Sequence, residues 1–212
     1  MVDIARKPGG VVADCSVEST QLLGLRVGCR VTELARLPRI VGAHVRNVEV
    51  AGAVVAWVVF DSCTFENVTG PTLILSALHV RTTLVGNFGR VMLRDVVLPE
   101  GDRERFADLR RQFYASGAWA LDISRAEFLE FDCRHIPGEL IVRNDERHGL
   151  VTRASAEETL RAPMFASNPW RAFLERKLQT EFASWILVPP RGPNGARLRA
   201  GLAELRAAGY AR

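Results

Sequence analysis

Apolar side chains recur at every fifth position between residues 38 and 87. A second set of small or apolar residues lies two positions earlier, and turn-forming residues lie two positions later. This spacing differs from the helical period of about 3.6 and from the strand period of about two. It predicts short strands separated by corners, in units that stack on one another. The central set is Ile40, Val45, Val50, Val55, Phe60, Phe65, Gly70, Leu75, Val80 and Val85.

In two stretches, 58–67 and 121–133, a small residue is followed two positions later by Phe, at Cys63 with Phe65 and at Ala126 with Phe128. They resemble the pentapeptide-repeat family, in which four pentapeptides form one square right-handed coil. The resemblance implies a mainly β fold, a right-handed β-solenoid with an inserted helix and a C-terminal α-helical cap.

The break in the repeat predicts the domain organisation. Residues 1–154 are predicted to form the β-solenoid, with a helical insertion at 99–117 that begins at Asp102 as its N-cap. Residues 150–152 are predicted to pair back on a strand at 139–143. Residues 155–212 are predicted to form a helical segment, which begins with a capping box of Ser155 and Glu158 and packs on the solenoid.

Charged residues twenty positions apart test the predicted stacking. If four pentapeptides make one coil, Arg46 lies next to Glu66, and Asp61 lies next to Arg81. Opposite charges on neighbouring strands favour this register. The outward positions define a candidate interaction surface, consisting of Arg39, His44, Arg46, Asp61, Glu66, His79 and Arg81.

One predicted face of the solenoid carries almost no charge. Val54, Ala56 and Ile74 stack on it, and an exposed flat apolar strip of this kind is a site for aggregation or binding. The hypothesis is that the C-terminal segment covers this face, and the alternative is that two chains bury it in a homodimer. The docking residues on the C-terminal side are Trp170, Phe173, Phe182 and Trp185.

Composition places the chain among ordinary globular proteins. Of its 212 residues, 48% are hydrophobic and 25% are charged, and the formal net charge is +4. The four scattered cysteines favour a reduced cytoplasmic location, since they lack the spacing of a zinc or redox site. The sequence has no apolar stretch of membrane-spanning length.

The residue types that commonly take part in catalysis do not form a recognisable catalytic set. The register places Cys133 inside the solenoid and Asp122, Glu127 and Asp132 on successive faces, so that a nucleophile or a carboxylate pair is not predicted. No catalytic, cofactor-binding or metal-binding residue is therefore predicted. An alternative is an enzyme with a site between the solenoid and the C-terminal segment, with four candidate residues: His135, Asp145, His148 and Glu158.

The predicted function is a non-enzymatic protein–protein interaction module that acts through the outer faces, as a toxin-neutralising or assembly component. Several members of the resembled family protect DNA gyrase by imitating duplex DNA, but that mimicry requires an acidic surface, and arginines outnumber acids between residues 21 and 95. The predicted partner is another protein, with no membrane involved. Nucleic-acid binding is a second alternative, and it would use Arg191, Arg197 and Arg199.

Overall fold

The computed structural model describes residues 3–5, 7–31, 33–71, 73–94 and 99–212. The strands are β1 (Asp3–Ile4), β2 (Val11–Ala13), β3 (Ser16–Glu18), β4 (Gln21–Leu23), β5 (Arg26–Val27), β6 (Arg39–Val41), β7 (His44–Arg46), β8 (Glu49–Ala51), β9 (Val54–Asp61), β10 (Thr64–Glu66), β11 (Leu73–Val80), β12 (Thr82–Leu93), β13 (Leu121–Cys133), β14 (Ile141–Val142), β15 (Gly149–Thr152) and β16 (Ser184–Leu187). The helices are α1 (Glu100–Tyr114), α2 (Arg153–Arg161), α3 (Arg171–Lys177) and α4 (Pro193–Ala207).

Parallel pairing dominates the first two thirds of the chain. Among the described residues, twelve strands form one sheet, which runs along the path β1-β5-β9-β11-β12-β10-β7-β3 and curls into a half-barrel. Strands β2, β6, β13 and β14 join this path from the side, and β4 with β8 forms a separate parallel pair. The inward side chains of the curl form most of the core.

The corners between the short strands follow from the turn-forming residues of the repeat. Gly42, Asn47, Gly52 and Asn67 all have positive φ, and even Trp57 has a φ of 58°. Glycine and asparagine tolerate this left-handed conformation better than other residues. These angles confirm the predicted corners from Gly42 to Asn67, but Ala77, Thr82 and Asn87 lie within β11 and β12, where the prediction is wrong.

The predicted fold class, a mainly β right-handed β-solenoid, is wrong. Among the described residues the protein is mixed α/β, with four helices, a curled parallel sheet and an antiparallel pair, β15 with β16. A regular coil of four pentapeptides also requires that strand partners always lie the same number of residues apart in the sequence. Instead, the spacing changes along the sheet, since Val17 pairs with Val45, Phe65 with Leu84, and Phe88 with Phe128.

The C-terminal part of the chain has a core of its own. Helices α2 and α4 and strands β15 and β16 surround Trp170, Leu174 and Trp185, each at most 3% exposed. The prediction that 150–152 pairs with 139–143 is wrong, because β15 pairs with β16. By its pairing, β15 therefore belongs to the C-terminal part.

Two predicted helix starts also differ from the structure. Pro99 precedes α1, and Asp102 lies in its first turn, where it forms an ion pair with Arg30 at 2.5 Å. Helix α2 begins earlier than predicted, because Thr152 is the N-cap and exchanges hydrogen bonds with Ser155. No helix in the described part of the chain combines the length and apolar character needed to cross a membrane.

Candidate functional site

A cavity of about 150 Å³ lies inside the curl of the large sheet. Its walls are the inward positions of successive strands, which the repeat of five makes apolar. Among the described lining residues, Cys15 and His79 carry the only polar side-chain atoms. The lining also reaches Val17 and Leu22, which are half-buried at the N-terminal end of the curl. The cavity is therefore an apolar space that extends toward this end.

His79 lies in the wall of the cavity on β11 and is 3% exposed, and its two ring nitrogens are buried. Its ring stacks on Phe60, with 5.5 Å between the ring centroids. Neither imidazole nitrogen has a hydrogen-bond partner among the described residues, although its backbone N–H donates to the Tyr114 hydroxyl at 3.1 Å. Burial lowers the pKa of His79 to about 4. The imidazole is therefore neutral at physiological pH and offers one donor and one acceptor.

The continuity of β11 explains why His79 faces inward. Strand β11 runs from Leu73 to Val80 without the corner that the repeat predicts at Ala77, so alternation places Leu73, Leu75 and His79 on the side that lines the cavity. The extra residue at this point lies in β9, since Ala56 pairs with Ser76 but Val59 pairs with Leu78. The prediction that His79 points outward is wrong for this reason.

The remaining charges of the predicted interaction surface mostly pair with one another. Asp61 contacts Arg39 and Arg81, each at 2.6 Å. Burial opposes ionisation of Asp61, but the hydrogen bonds from these two arginines outweigh it and lower the pKa of the carboxyl. The predicted proximity of Asp61 to Arg81 is confirmed, yet Asp61 is only 8% exposed. A partner would therefore meet the two arginines and not this carboxylate.

A second ladder of charges runs across β3, β7 and β10. Arg46 lies 3.7 Å from Glu18 and 3.4 Å from Glu66, so its predicted proximity to Glu66 is confirmed. His44 is exposed beside this ladder, and Thr64 is its register partner on the neighbouring strand β10. Because each charge has an opposite neighbour, the ladder presents little net charge. The role of these residues in binding a partner stays a prediction.

The predicted docking face is not covered as expected. Val54 remains 42% exposed and Ala56 is half-buried, while the side chain of Ile74 lies outside the described part of the structure. The prediction that the C-terminal segment covers Val54 is therefore wrong, and the alternative that two chains bury it stays a prediction. Helix α1 covers the neighbouring part of the sheet instead, with Phe106 and Trp57 at 4.5 Å between ring centroids.

The aromatic residues predicted to cover that face serve two other purposes. Trp170 and Trp185 are buried in the C-terminal core, and Phe173 packs against its edge. Phe182 reaches the large core and contacts the ring of Tyr114 at 5.9 Å. The stripe therefore builds the C-terminal part and joins it to the sheet near α1.

A buried ion pair connects the end of β13 to α3. Lys177 is fully buried, lies 3.1 Å from Asp132, and donates to the backbone carbonyl of Cys133. Arg134 contacts the other oxygen of Asp132 at 2.7 Å. Burial opposes ionisation of Asp132, but Lys177 and Arg134 outweigh it and lower its pKa. The sequence contains a signal for this contact, since Lys177 lies on the apolar stripe of its helix, between Leu174 and Leu178.

A second buried pair joins α1 to the chain before β16. Arg110 is 1% exposed and contacts Glu181 at 2.5 Å, and His135 lies 3.7 Å from the same carboxylate oxygen. Burial opposes ionisation of Glu181, but His135 and Arg110 outweigh it and lower its pKa to about 2. These groups connect three segments that are distant in sequence.

The residues proposed for an enzymatic site do not form one constellation. His135 contacts Glu181, whereas His148 lies in a turn near Arg143 and Arg206, and burial together with these cations lowers its pKa to about 4. Asp145 is exposed and pairs with Arg143 at 2.9 Å. Glu158 is exposed on α2.

Two further chemical possibilities gain no support from the structure. Burial raises the pKa of the Cys133 thiol to about 11, so a thiolate nucleophile is disfavoured. Among the described residues, His, Cys, Asp and Glu form no group of three or more that could hold a metal ion.

The C-terminal arginines mostly stabilise the local backbone. Arg206 donates to the carbonyls of Asp145, Glu146 and His148, and Arg191 donates to the Asn87 side chain. Arg197 and Arg212 are exposed, and Arg199 reaches the carbonyl of a neighbouring proline at 3.3 Å.

Comparison with known proteins adds no functional assignment. No family model, curated protein or solved structure matches the chain, and the resemblance to the pentapeptide-repeat family stays a prediction.

Proposed function

We propose that this protein is a non-enzymatic protein–protein interaction module and that its main interaction site is the N-terminal edge of the curled sheet. The observation that carries this proposal is the pairing of β2, β3 and β4. Within the described residues, each of these strands pairs on one side only, with β6, β7 and β8 respectively. Unpaired strand edges are templates for association with another chain.

The composition of this edge supports the proposal. Soluble proteins usually protect an exposed edge with charges, prolines or bulges. Of the nine residues in β2, β3 and β4, Glu18 alone is charged, and none is proline. Val11 and Leu23 are 62% and 57% exposed. The edge therefore has little protection besides the shortness of its strands, which have three residues each.

We propose that the partner at this edge is a second copy of the chain. The three strands lie on successive sides of the curl, separated by corners at Asp14 and Ser19, where φ is positive. A single added strand would pair with one side and leave the other two unpaired. A second copy has the same curvature and can pair with all three sides through a two-fold axis.

Other features weigh against the alternatives. The outer charges are largely neutralised within the chain, and the candidate catalytic groups are dispersed. A cytoplasmic location is also proposed, since it is consistent with the buried thiols Cys63 and Cys133.

The experiment compares two double variants by analytical ultracentrifugation. V11E/L23E places a negative charge at two exposed positions of the edge. Arg39 is the strand neighbour of Val11, so the charge of the first glutamate is balanced within the chain. The matched control, L129E/V142E, changes two exposed apolar residues of β13 and β14. We expect wild type and control to be dimers and V11E/L23E to dissociate at least about tenfold more readily. A monomeric wild type at ~100 μM, or equal dissociation of both variants, would contradict the proposal.

A further inference from the structure

We propose that the paired arginines Arg39 and Arg81, together with the exposed ring of Trp119, form a binding surface for an acidic segment of another protein. This surface lies on the outer side of β6, β9 and β11, whereas the proposed dimer uses the main-chain edge of β2, β3 and β4. The proposal rests on the geometry of the arginine pair, the backbone conformation of Arg81 and the exposure of Trp119.

A single carboxylate positions the two arginines side by side. Arg39 and Arg81 each donate to Asp61 at 2.6 Å, one to each carboxylate oxygen. Their own side chains are 40% and 53% exposed, although Asp61 is buried. Each guanidinium has five N–H donors, so both retain donors for a second anion. Because one carboxylate of the chain already bridges the two arginines, a carboxylate of a partner can bridge them from the solvent side.

The charge of the site fits one carboxylate. The two arginines and the ionised Asp61 together carry a net charge of +1, which a single aspartate or glutamate of the partner balances. A phosphate monoester, with a charge of about −1.5 to −2, would leave an excess of negative charge beside Asp61. Hydrogen bonds between guanidinium and carboxylate are charge-assisted and among the strongest in proteins. The partner is therefore expected to be an acidic protein segment.

The backbone at Arg81 indicates that this arginine has a role beyond folding. Arg81 has a φ of 50°, a left-handed conformation that is unfavourable for residues other than glycine, asparagine and aspartate. Trp57 has a similar φ, but its ring is buried against Phe106, and this contact compensates the strain. Arg81 is exposed, and Arg39 alone already neutralises Asp61. A strained and exposed residue that the fold does not require is a candidate for function.

Trp119 adds an apolar contact beside the arginine pair. Its backbone carbonyl accepts a hydrogen bond from the Arg81 backbone N–H at 3.1 Å, and the half-buried Val80 lies next to Arg81 as the register partner of Asp61. Trp119 is 38% exposed, whereas the other three tryptophans are at most 5% exposed. Tryptophan and arginine are the residues that most often dominate the energy of an interface. An apolar side chain close to the partner's carboxylate would pack against this ring.

The test uses the full chain and two six-residue peptides. One peptide has three glutamates followed by three leucines, and its matched control has three glutamines followed by three leucines. Acrylamide quenches the fluorescence of exposed tryptophan, so it reports on Trp119. We expect the glutamate peptide to protect Trp119 with a Kd at least about tenfold lower than that of the glutamine peptide. High salt should reduce this difference, because it screens exposed charges.

Arg81→Asn separates binding from folding. Asparagine tolerates the left-handed conformation better than arginine does, so the variant should melt close to wild type by circular dichroism. Its affinity for the glutamate peptide should fall at least about tenfold. The matched control, Arg161→Gln, removes an exposed arginine of α2 and should bind the peptide as wild type does.

Three results would overturn the proposal. The first is equal protection of Trp119 by the two peptides, or no protection up to ~5 mM, which is measured on the wild-type chain and depends on no variant. The second is an unchanged affinity in Arg81→Asn. The third concerns single-stranded nucleic acid, which combines phosphates with bases that stack on aromatic rings. If hexathymidylate protects Trp119 better than the glutamate peptide does, the partner is not an acidic protein segment.

Discussion

The N-terminal and C-terminal ends of the curled sheet are built from the same parallel strands, but they are finished differently. At the N-terminal end, Val17 and Leu22 are half-buried beside unpaired strand edges. At the C-terminal end, Ile123 and Phe128 are at most 1% exposed, and the segment that follows β14 packs against them. A parallel sheet that curls does not close its own ends, so each end requires a separate cover.

The C-terminal cover is held by charges as well as by apolar contacts. The pairs formed by Lys177 with Asp132 and by Arg110 with Glu181 are buried between the sheet, α1 and the C-terminal part. Truncating one member of such a pair leaves an uncompensated buried charge. The comparison therefore predicts a rigid C-terminal end and a more tolerant N-terminal end.

The largest effects are expected from the same truncation made at the C-terminal end and in β10, which lies nearer the N-terminal end. Phe128→Ala should lower the free energy of unfolding by about 3–5 kcal/mol, because the ring is fully buried. Phe65→Ala should cost about 1–2 kcal/mol, since this ring is half-buried and borders the cavity. Urea unfolding followed by circular dichroism measures both. Equal losses would show that these two positions are packed equally well.

Breaking the buried ion pair should be almost as damaging. Asp132→Ala leaves the ammonium of Lys177 buried without its carboxylate and should cost about 3–5 kcal/mol. The double variant D132A/K177M removes both charges and should regain part of the loss in the same unfolding measurement. If the double variant is less stable than Asp132→Ala, the pair is not the source of the cost.

Acid should weaken the contact between α1 and the C-terminal part, because it protonates Glu181. The pKa of Glu181 is 4.5 as a free side chain and about 2 in the folded protein. The contribution of the ionised carboxylate to the stability of the fold is therefore fully present above pH 4.5. This contribution, about 3 kcal/mol, is lost as the pH falls from about 4.5 toward 2. Thermal melts across this pH range should show a smaller decline in Glu181→Gln than in wild type. Glu18→Gln, at the exposed N-terminal ladder, serves as the control for loss of a carboxylate.

The smallest effect is expected at the charge ladder of the N-terminal end. Arg46 is 49% exposed and its two ion pairs are long, so Arg46→Ala should cost less than about 1 kcal/mol. The difference from wild type should shrink further in high salt, because surface charges are screened. Arg46→Met retains much of the aliphatic stem and separates the charge from the packing. A loss that persists in high salt would contradict the assignment to surface electrostatics.

Local features of the sequence predicted much of the curl. The repeat of five identified the inward Phe60 and the corners at Gly42 and Asn47, and the charge positions identified the contact between Arg46 and Glu66. These features succeed because alternation and turn preference depend on neighbouring residues. The position of α1 was also predicted to within a few residues, from its apolar spacing.

The candidate sites depended on contacts that the local pattern does not contain. Strand β11 passes Ala77 without the predicted corner, which places His79 inward, although neither residue breaks the repeat in the sequence. The burial of Lys177 depends on Asp132, which is distant along the chain. The partner of β15 is equally distant, and nothing in 149–152 specifies it. Irregular register and long-range pairing therefore limited the prediction.

The insertion of α1 has a consequence for protein engineering. The chain leaves β12, forms a helix of fifteen residues and returns, and β13 still pairs with β12 from Thr82 to Leu93. Loop-closure entropy rises by only about 0.6 kcal/mol for each doubling of length. The exposed turn at Ser116 and Gly117, where Gly117 has a φ of 73°, is therefore a position for grafting a peptide tag or a small reporter domain. The sheet would keep its strand order, and the grafted segment would project into solvent.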